Sequence, residues 1–340
     1  MSYAPIIQYL SAKSTPSLKK NLEKLLKEEG LNGRVTDLEY LTGGASNETW
    51  KFFFSSKTEK KHMIFRRSLG ESSPMAISKR DEASIQQLAF KKGAPVAKII
   101  AIADKDSTLG DAYIMKHIEG ETIARKILRD KEYSQAKKKL AYECGEAIAK
   151  IHQVPINNFK NMQVSSPKDL IHQLYLTYEG FKQPLPVFEF AFKWLEDQDF
   201  GEPIEKLVHG DFRLGNLIIS KKGLEAVIDW ELAHIGNPIQ DLGWICVNSW
   251  RFGHSKNIVG GFGEIDDLLS GYSSVCKNNI THKQIKTWQI FGTLRWGVIC
   301  LIQTFSHLYG RTNSVEKAAI GRRVSETEID LINLIFLGGK

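Results

Sequence analysis

The stretch that decides the fold reads Val208-His209-Gly210-Asp211-Phe212-Arg213-Leu214-Gly215-Asn216, and Ile228-Asp229-Trp230-Glu231 follows it. It places an Asp five residues before an Asn, with a second Asp after a predicted short hairpin. Phosphoryl-transfer sites of the kinase type have this spacing, because one carboxylate receives the attacking hydroxyl while the amide and the second carboxylate hold the magnesium ion of Mg-ATP. The spacing therefore predicts Asp211 as the catalytic residue and Asn216 and Asp229 as ligands of Mg²⁺.

The catalytic interpretation of Asp211 has a simpler alternative. A His-Gly-Asp triplet is common in turns, where the Asp accepts hydrogen bonds from nearby backbone N–H groups. Asn216 at the matching offset, and Asp229 after the apolar pair Val227-Ile228, favour catalysis. Magnesium takes oxygen ligands and keeps several waters, so one or two protein ligands suffice. Glu231 could contact a second metal ion or a water. The favoured interpretation is that it faces solvent or caps the turn.

Composition is typical of a globular protein and argues against two classes of partner. The chain has 340 residues, 42% of them hydrophobic and 25% charged, so one large or two smaller domains are expected. Its formal charge of +7 comes from scattered lysines without an RNA-binding aromatic signature, so no nucleic acid partner is predicted. No apolar run is long enough to span a membrane and no signal sequence is recognisable, which predicts a cytoplasmic protein without a membrane partner. The oligomeric state is left open.

The cysteines give no sign of a metal site. None of the four belongs to a CxxC pair or another metal-ligand spacing. Cys144, Cys246 and Cys300 lie among apolar residues and are interpreted as buried thiols.

Periodicity predicts a small sheet followed by a large helical region. A helix is predicted over residues 18–31, ending at Gly30, and then strands over 35–41, 48–54, 62–66, 97–103 and 112–117, with a helix over 77–92. After Gly120 come helices over 123–128 and 134–152, then strands at 207–208, 217–220 and 226–228, and a mostly helical part from 241 onward. The predicted class is α+β, with domains 1–117 and 118–340.

These motifs resemble those of the aminoglycoside phosphotransferase and choline kinase group of small-molecule kinases. The resemblance is strongest to the kinase-like domains found next to acyl-CoA dehydrogenases. It rests on residues 209–216 and 229–234, on Gly236-Asn237-Pro238 and on Asp241-Leu242-Gly243-Trp244, and it extends from Leu41 to Leu301. It implies a two-lobed protein-kinase-like fold with a small antiparallel-sheet N-lobe and a large, mostly helical C-lobe, with ATP and Mg²⁺ as cofactors. It also supports a structural role for Asp241, which would tie the catalytic loop by hydrogen bonds.

The resemblance implies a nucleotide-binding set in the N-terminal domain. The turn Gly43-Gly44-Ala45-Ser46-Asn47 corresponds to the nucleotide loop, where glycines let the backbone approach phosphate, although any hairpin could use such a turn. Arg66 stands where kinases have a phosphate-gripping lysine, and it shares a strand face with Ile64 while Arg67 does not. Glu82 is its expected partner. The predicted cofactor-binding residues are Gly43, Gly44, Ser46, Asn47, Arg66, Glu82, Met115 and His117.

The acceptor is expected to contact the helical region. This region offers arginines and aromatic residues: Trp244, Trp250, Arg251, Phe252, Trp288, Phe291, Arg295 and Trp296. An anionic, partly apolar small molecule suits a basic chain, and the resemblance implies a hydroxyacyl-CoA-like metabolite. Aminoglycoside, choline and homoserine acceptors, a protein acceptor, and a nucleotide-binding regulator with little catalysis stay as alternatives. Each of the aromatic residues could equally be core.

Overall fold

The chain divides into two compact units. They comprise Met1–Glu119 with Ile228–Leu232, and Gly120–Val227 with Ala233–Lys340. This computed structural model describes residues 4–41, 47–68, 76–104, 106–159, 162–201, 204–277, 279–310 and 314–338, with side chains from residue 16 onward. The domain boundary after His117 stays a prediction. That prediction assigns the segment Ile228–Leu232 to the second domain, whereas in the structure the segment groups with the first unit.

The first unit is an antiparallel sheet with two helices. Its elements are α1 (Ala4–Glu28), β1 (Arg34–Leu41), β2 (Asn47–Ser55), β3 (Lys60–Ser68), α2 (Lys79–Lys91), β4 (Ile99–Ile102) and β5 (Ala112–Lys116). The strand order is β1-β2-β3-β5-β4, and neighbouring strands are antiparallel. Each of these strands, and α2, begins and ends within two residues of its predicted position.

Helix α1 starts earlier than predicted. It begins at Ala4 instead of residue 18 and contains Pro16, while its end at Glu28 precedes Gly30, whose φ is +78°. Proline lacks the N–H group that an interior helical position donates, so the sequence before it gives little helix signal. The predicted end is correct because a glycine adopts this left-handed backbone without steric cost.

The two faces of the sheet pack against different helices. Trp50, Phe52 and Phe54 alternate along β2 and are buried in one core together with leucines of α1. Ile64 of β3 belongs to a second core that includes Ala83 of α2. Because side chains alternate along a strand, position 66 lies on the same face as Ile64. Residue 66 therefore lies on the face of the sheet that packs against α2.

The second unit is mostly helical. Its helices are α3 (Ala124–Arg129), α4 (Ser134–His152), α5 (Pro167–Glu179), α6 (Pro186–Glu196), α7 (Ile239–Trp244), α8 (Ile265–Val275), α9 (His282–Leu308), α10 (Val315–Gly321) and α11 (Val324–Phe336). Its strands are β6 (Val164–Ser165), β7 (Lys206–Val208), β8 (Leu217–Ser220), β9 (Gly223–Val227) and β10 (His234–Gly236), arranged as β6-β10-β7 and as the hairpin β8-β9. The α+β class is confirmed.

Helices α4 and α8 pack unusually closely. A Cβ atom on Gly145 would lie 2.0 Å from the carbonyl oxygen of Leu268, and one on Gly271 would lie 1.9 Å from that of Tyr142. Two glycines, one on each helix, therefore allow the backbones to touch. The predicted apolar face of α4 is buried, including Cys144. Among the described helices, none has both the length and the apolar character that a membrane span requires.

Candidate active site

The loop after β7 is tied to α7 by one buried carboxylate. Oδ2 of Asp241 accepts the backbone N–H of His209 over 2.8 Å, and Oδ1 accepts that of Gly210 over 3.0 Å. His152 Nε2 lies 3.1 Å from Oδ2. Burial by itself would raise the pKa of Asp241, but the His152 contact and the loop N–H groups outweigh it and lower the pKa. The predicted structural role of Asp241 is therefore present as direct hydrogen bonds.

The Asp211 carboxylate is held by three nitrogen donors. Trp244 Nε1 donates to Oδ1 over 2.8 Å, and Asn216 Nδ2 donates to Oδ2 over 2.6 Å. Arg213 Nε lies 3.0 Å from Oδ1 and 3.2 Å from Oδ2. A side chain with this many directional contacts has one orientation, which is what a group that positions a reacting hydroxyl needs.

Trp244 is itself supported from its ring face. The guanidinium of Arg295 lies 4.7 Å from the centre of the Trp244 ring, and Arg295 Nη1 donates to the carbonyl oxygen of Gly210 over 2.9 Å. Burial lowers the pKa of Arg295 from its ordinary value. One arginine thus secures both the backbone next to Asp211 and the indole that bonds its carboxylate. The sequence analysis gave Trp244 no such role.

Arg66 pairs with two carboxylates in the first unit. Its Nη1 donates to Glu82 Oε1 over 2.9 Å and its Nη2 to Asp229 Oδ1 over 3.1 Å. Burial would lower the pKa of Arg66, but the charges of Glu82 and Asp229 raise it well above the ordinary value. Arg67 instead pairs with Glu48. The expected Arg66–Glu82 pair is present, and the nucleotide-binding roles of both residues stay predictions.

Glu82 has further partners that the sequence analysis missed. It is fully buried and accepts Lys79 Nζ on Oε2 over 2.5 Å and the Tyr113 hydroxyl on Oε1 over 2.8 Å. The Lys79 side chain is only 4% exposed. Lys79 and Glu82 are three positions apart on α2, a spacing that places side chains on one face of a helix and could have indicated the pair. Two cations therefore hold one buried carboxylate in place.

Asp229 has a strained backbone. It lies two residues beyond β9, whereas the sequence analysis ended the strand at Ile228, and its φ is +69°. Non-glycine residues rarely adopt this left-handed conformation, which costs about 1–3 kcal/mol and is found at functional sites. The Asp229 side chain pairs with Arg66 and is nevertheless one-third exposed.

Glu231 is half-buried and hydrogen-bonded, whereas the sequence analysis favoured a side chain that faces solvent or caps the turn. Its Oε2 accepts Asn47 Nδ2 over 2.9 Å, and its carbonyl oxygen accepts the backbone N–H of Ile77 over 3.0 Å. Burial, followed by the nearby charge of Asp229, raises the pKa of this carboxyl. The correction has a physical reason: the segment Ile228–Leu232 belongs to the first unit, which provides polar partners that are remote in sequence.

The remaining residues that were predicted to contact the nucleotide lie in different parts of the first unit or outside the described residues. Gly43, Gly44 and Ser46 lie outside the described residues. Met115 pairs with Ile64 in the sheet and is 8% exposed. His117 follows β5, and burial, followed by the charge of Lys51, lowers its pKa. Their contacts with a nucleotide stay predictions.

The aromatic residues expected to contact an acceptor are mostly core. At most 4% of the surface of each of four is exposed: Trp244, Trp250, Trp288 and Phe291. Arg251 donates to the carbonyl oxygens of Cys246, over 2.7 Å, and Ser255, over 2.9 Å. Arg295 is bonded as described above. The expectation that this set forms an acceptor surface is therefore wrong for its buried members, because apolar packing and main-chain hydrogen bonds already occupy them.

The predicted metal ligands have suitable atoms. Both side-chain hydrogen bonds of Asn216 are made by Nδ2, to the carbonyl oxygen and Oδ2 of Asp211, so its amide oxygen is the atom that could bind a cation. Asp229 contributes a carboxylate. Hard oxygen ligands of this kind suit Mg²⁺. The described part of the chain contains no group of three or more His, Cys, Asp or Glu side chains arranged to hold a metal ion.

Comparison with known families identifies the chain. The model of the phosphotransferase enzyme family matches residues 37–275, which include residues 208–216 and the Asp229 segment. The chain belongs to the phosphotransferase enzyme family. A curated relative is acyl-CoA dehydrogenase family member 11 from Mus musculus, 29% identical over 240 residues that cover 66% of this chain and 30% of that protein. The chain spans less than a third of that relative's length.

Two solved structures of proteins described as phosphotransferases share the fold. A protein from Ralstonia eutropha described as a "putative aminoglycoside phosphotransferase" has a TM-score of 0.70 at 21% identity, covering 91% of this chain and 95% of that one. A spectinomycin phosphotransferase, solved with ADP and spectinomycin, has a TM-score of 0.60 at 14% identity, covering 91% and 97%. The protein-kinase-like fold and the resemblance inferred from the motifs are confirmed.

Proposed function

We propose that this phosphotransferase family member transfers the γ-phosphate of ATP, in a Mg²⁺-dependent reaction, to a hydroxyl group of a small molecule. The observation that carries the proposal is the Asp211 carboxylate, which three nitrogen donors orient in a loop that Asp241 anchors. A turn that only satisfied its own backbone would not need three side chains from different positions to fix its carboxylate. Kinase-type catalysis depends mainly on such positioning.

Asp211 would orient the acceptor hydroxyl and receive its proton as the oxygen bonds to the γ-phosphorus and ADP leaves. Trp244 and Asn216 would keep the carboxylate aligned for this step. Asn216, through its amide oxygen, and Asp229, through its carboxylate, are proposed as ligands of Mg-ATP. The metal ion, when bound, neutralises phosphate charge.

Arg66 would contact the nucleotide phosphates, with Glu82 as the group that positions it. The guanidinium has five N–H donors in a fork that matches phosphate oxygens, whereas its pairs with Glu82 and Asp229 use one nitrogen each. The proposed roles of Gly43, Gly44, Ser46, Asn47, Met115 and His117 in holding ATP follow the same fold correspondence.

The acceptor is proposed to be an anionic, partly apolar hydroxyl compound such as a hydroxyacyl-CoA. The net charge of +7 supports an anionic acceptor. Similarity to part of a protein named as an acyl-CoA dehydrogenase family member supports an acyl-CoA-like metabolite. Aminoglycoside, choline and homoserine acceptors are the alternatives within the family.

ADP release tests the proposal. The purified chain would be assayed with Mg-ATP and an acceptor panel of hydroxyacyl-CoAs, hydroxy acids, aminoglycosides, choline and homoserine. Asp211→Asn should retain Mg-ATP affinity and lose at least about 100-fold in turnover, because the positioned proton acceptor is removed. Asp197→Asn, a change of the same type at an exposed position, is the matched control and should behave as the wild type.

Two results would contradict the proposal. Undiminished turnover by Asp211→Asn would mean that another group receives the hydroxyl. Tight Mg-ATP binding with no ADP release for any acceptor would support a nucleotide-binding regulator instead.

A further inference from the structure

Arg213 is anchored at one end of its guanidinium. Its Nε donates to both carboxylate oxygens of Asp211, over 3.0 and 3.2 Å, and its guanidinium carbon lies 4.8 Å from the centre of the Trp250 ring. Stacking on an aromatic face and a charge-assisted hydrogen bond fix the plane of the guanidinium. The side chain remains 27% exposed. Arg213 is thus a held, accessible cation beside the predicted catalytic carboxylate.

The terminal nitrogens of this guanidinium are uncommitted. Within the described part of the chain, Nη1 and Nη2 of Arg213 have no hydrogen-bond partner, and neither is a buried atom. Arg251 and Arg295 differ, since their Nη atoms donate to main-chain carbonyl oxygens. These two buried arginines therefore use terminal nitrogens for main-chain contacts, whereas the four N–H donors on Nη1 and Nη2 of Arg213 are available to a ligand.

Gly215 makes room for this arrangement. A Cβ atom at position 215 would lie 2.4 Å from Nη1 of Arg213. No side chain other than hydrogen fits there without moving the guanidinium. The loop sequence Arg213-Leu214-Gly215 thus provides both the cation and the space in which its terminal nitrogens lie.

We propose that Arg213 binds an anionic group of the acceptor, a carboxylate or a phosphate, through Nη1 and Nη2, and so brings the acceptor hydroxyl to Asp211. The inference rests on the proposed phosphotransferase function and narrows its substrate class. The planar fork of arginine matches two oxygens of such a group. Because Nε of the same guanidinium contacts Asp211, the hydroxyl and the anionic group should be only a few bonds apart. The γ-phosphate of ATP has similar chemistry, and the experiment must separate it from the acceptor.

Binding without turnover gives the first test. The Nε–Hε resonance of Arg213, assigned by its loss in Arg213→Lys, would be followed by NMR in nucleotide-free protein. The probes are 3-hydroxybutyrate, inorganic phosphate and the neutral methyl 3-hydroxybutyrate, each to about 20 mM. The anions should shift the resonance saturably and the ester should leave it unchanged. No shift with either anion, or equal shifts with acid and ester, would overturn the inference.

Kinetics gives the second test, with the acceptor that the ADP-release panel identifies and a neutral ester or amide of it. In Arg213→Gln, kcat/KM for the anionic acceptor should fall roughly 10- to 100-fold, the loss expected for a hydrogen bond to a charged group. Loss of the Nε contact with Asp211 should lower kcat/KM for both acceptors, so the loss with the anionic acceptor should exceed the loss with the neutral analogue by roughly tenfold or more. The matched control, Arg129→Gln, an exposed arginine that pairs with Asp130, should show no difference between the two acceptors. Comparing two acceptors in one variant cancels any effect on Asp211.

Gly215→Ala extends the test, because it displaces the guanidinium without removing its charge. It should reproduce the selective loss of Arg213→Gln, with an unchanged thermal unfolding midpoint as the check on folding. Equal losses for both acceptors together with a raised KM for ATP would assign Arg213 to the transferred phosphate and overturn the inference. A wild-type chain that releases no ADP with any acceptor refutes the proposed function, whereas the NMR titration still decides what Arg213 binds.

Discussion

Trp244 donates its indole N–H to Oδ1 of Asp211 over 2.8 Å, although 33 positions separate the two residues. The donor comes from α7, the same helix that anchors the loop backbone through Asp241. One short helix therefore fixes both the loop and the orientation of its carboxylate.

Replacing Trp244 by Phe should lower kcat and leave the KM for ATP unchanged. Phenylalanine keeps an aromatic ring against Arg295 and removes the donor, and a hydrogen bond to a charged group contributes about 1.5–3 kcal/mol, which corresponds to roughly a 10- to 150-fold loss. Steady-state kinetics measures this split. Trp288→Phe is the control, since Trp288 is as deeply buried but packs on Phe200 and Phe291. Equal losses of kcat in both variants would mean that general packing, and not the indole donor, is responsible.

Arg66→Ala should weaken Mg-ATP binding more than Arg67→Ala. The two arginines are adjacent, but only Arg66 lies on the face of the sheet that carries Glu82, while Arg67 pairs with Glu48. Titration calorimetry should give a dissociation constant at least about tenfold higher for Arg66→Ala, in line with the loss of a charge-assisted hydrogen bond. Thermal unfolding of both variants separates loss of affinity from loss of fold. The opposite ranking would place the phosphate contact at Arg67.

Local spacing was enough to predict much of this arrangement. Strand alternation placed Arg66 on the same face as Ile64, and the resemblance to the small-molecule kinases gave Glu82 as its expected partner. The contact between Asp211 and Asn216 was equally predictable, because both residues belong to one loop and have the spacing typical of kinase-type sites.

Contacts between distant segments were not predictable. The Trp244 donor and the Asn47–Glu231 hydrogen bond join residues 33 and 184 positions apart, and no periodic pattern encodes such pairs. The aromatic residues of α7 and α9 were ambiguous for another reason. A tryptophan in a helical run suits a ligand surface or a core equally well, and only packing decides between them.

The stability contribution of Asp241 should depend on pH. Its pKa in the folded state is below the ordinary value of 3.8, so the ionised carboxylate stabilises the fold at every pH above the unfolded-state pKa. This contribution should be lost as the pH falls through the folded-state pKa. Urea unfolding of the wild type and Asp241→Asn should show a difference in unfolding free energy that is constant from pH 7 to about pH 5 and shrinks below about pH 4.

A difference that stays constant down to pH 3, or one that grows on acidification, would contradict this assignment. His152 contributes through the same contact, since its Nε2 lies 3.1 Å from Asp241 Oδ2. The profile of His152→Gln should therefore be recorded alongside, and its remaining acid dependence should reflect the His209 and Gly210 N–H groups alone.

Changes at Asp229 should separate ligation from backbone strain. Asp229→Ala and Asp229→Asn both remove the carboxylate that is proposed to hold Mg-ATP, so both should lose metal-dependent nucleotide binding in a calorimetric titration. Their stabilities should differ, because the φ of +69° is costly for alanine, by about 1–2 kcal/mol, and is tolerated by asparagine. Urea unfolding measures that difference, and excess EDTA should reduce wild-type ATP affinity to the level of the two variants. Wild-type Mg-ATP affinity in Asp229→Ala would refute the ligand assignment, whatever its stability, because alanine offers no side-chain oxygen at this position.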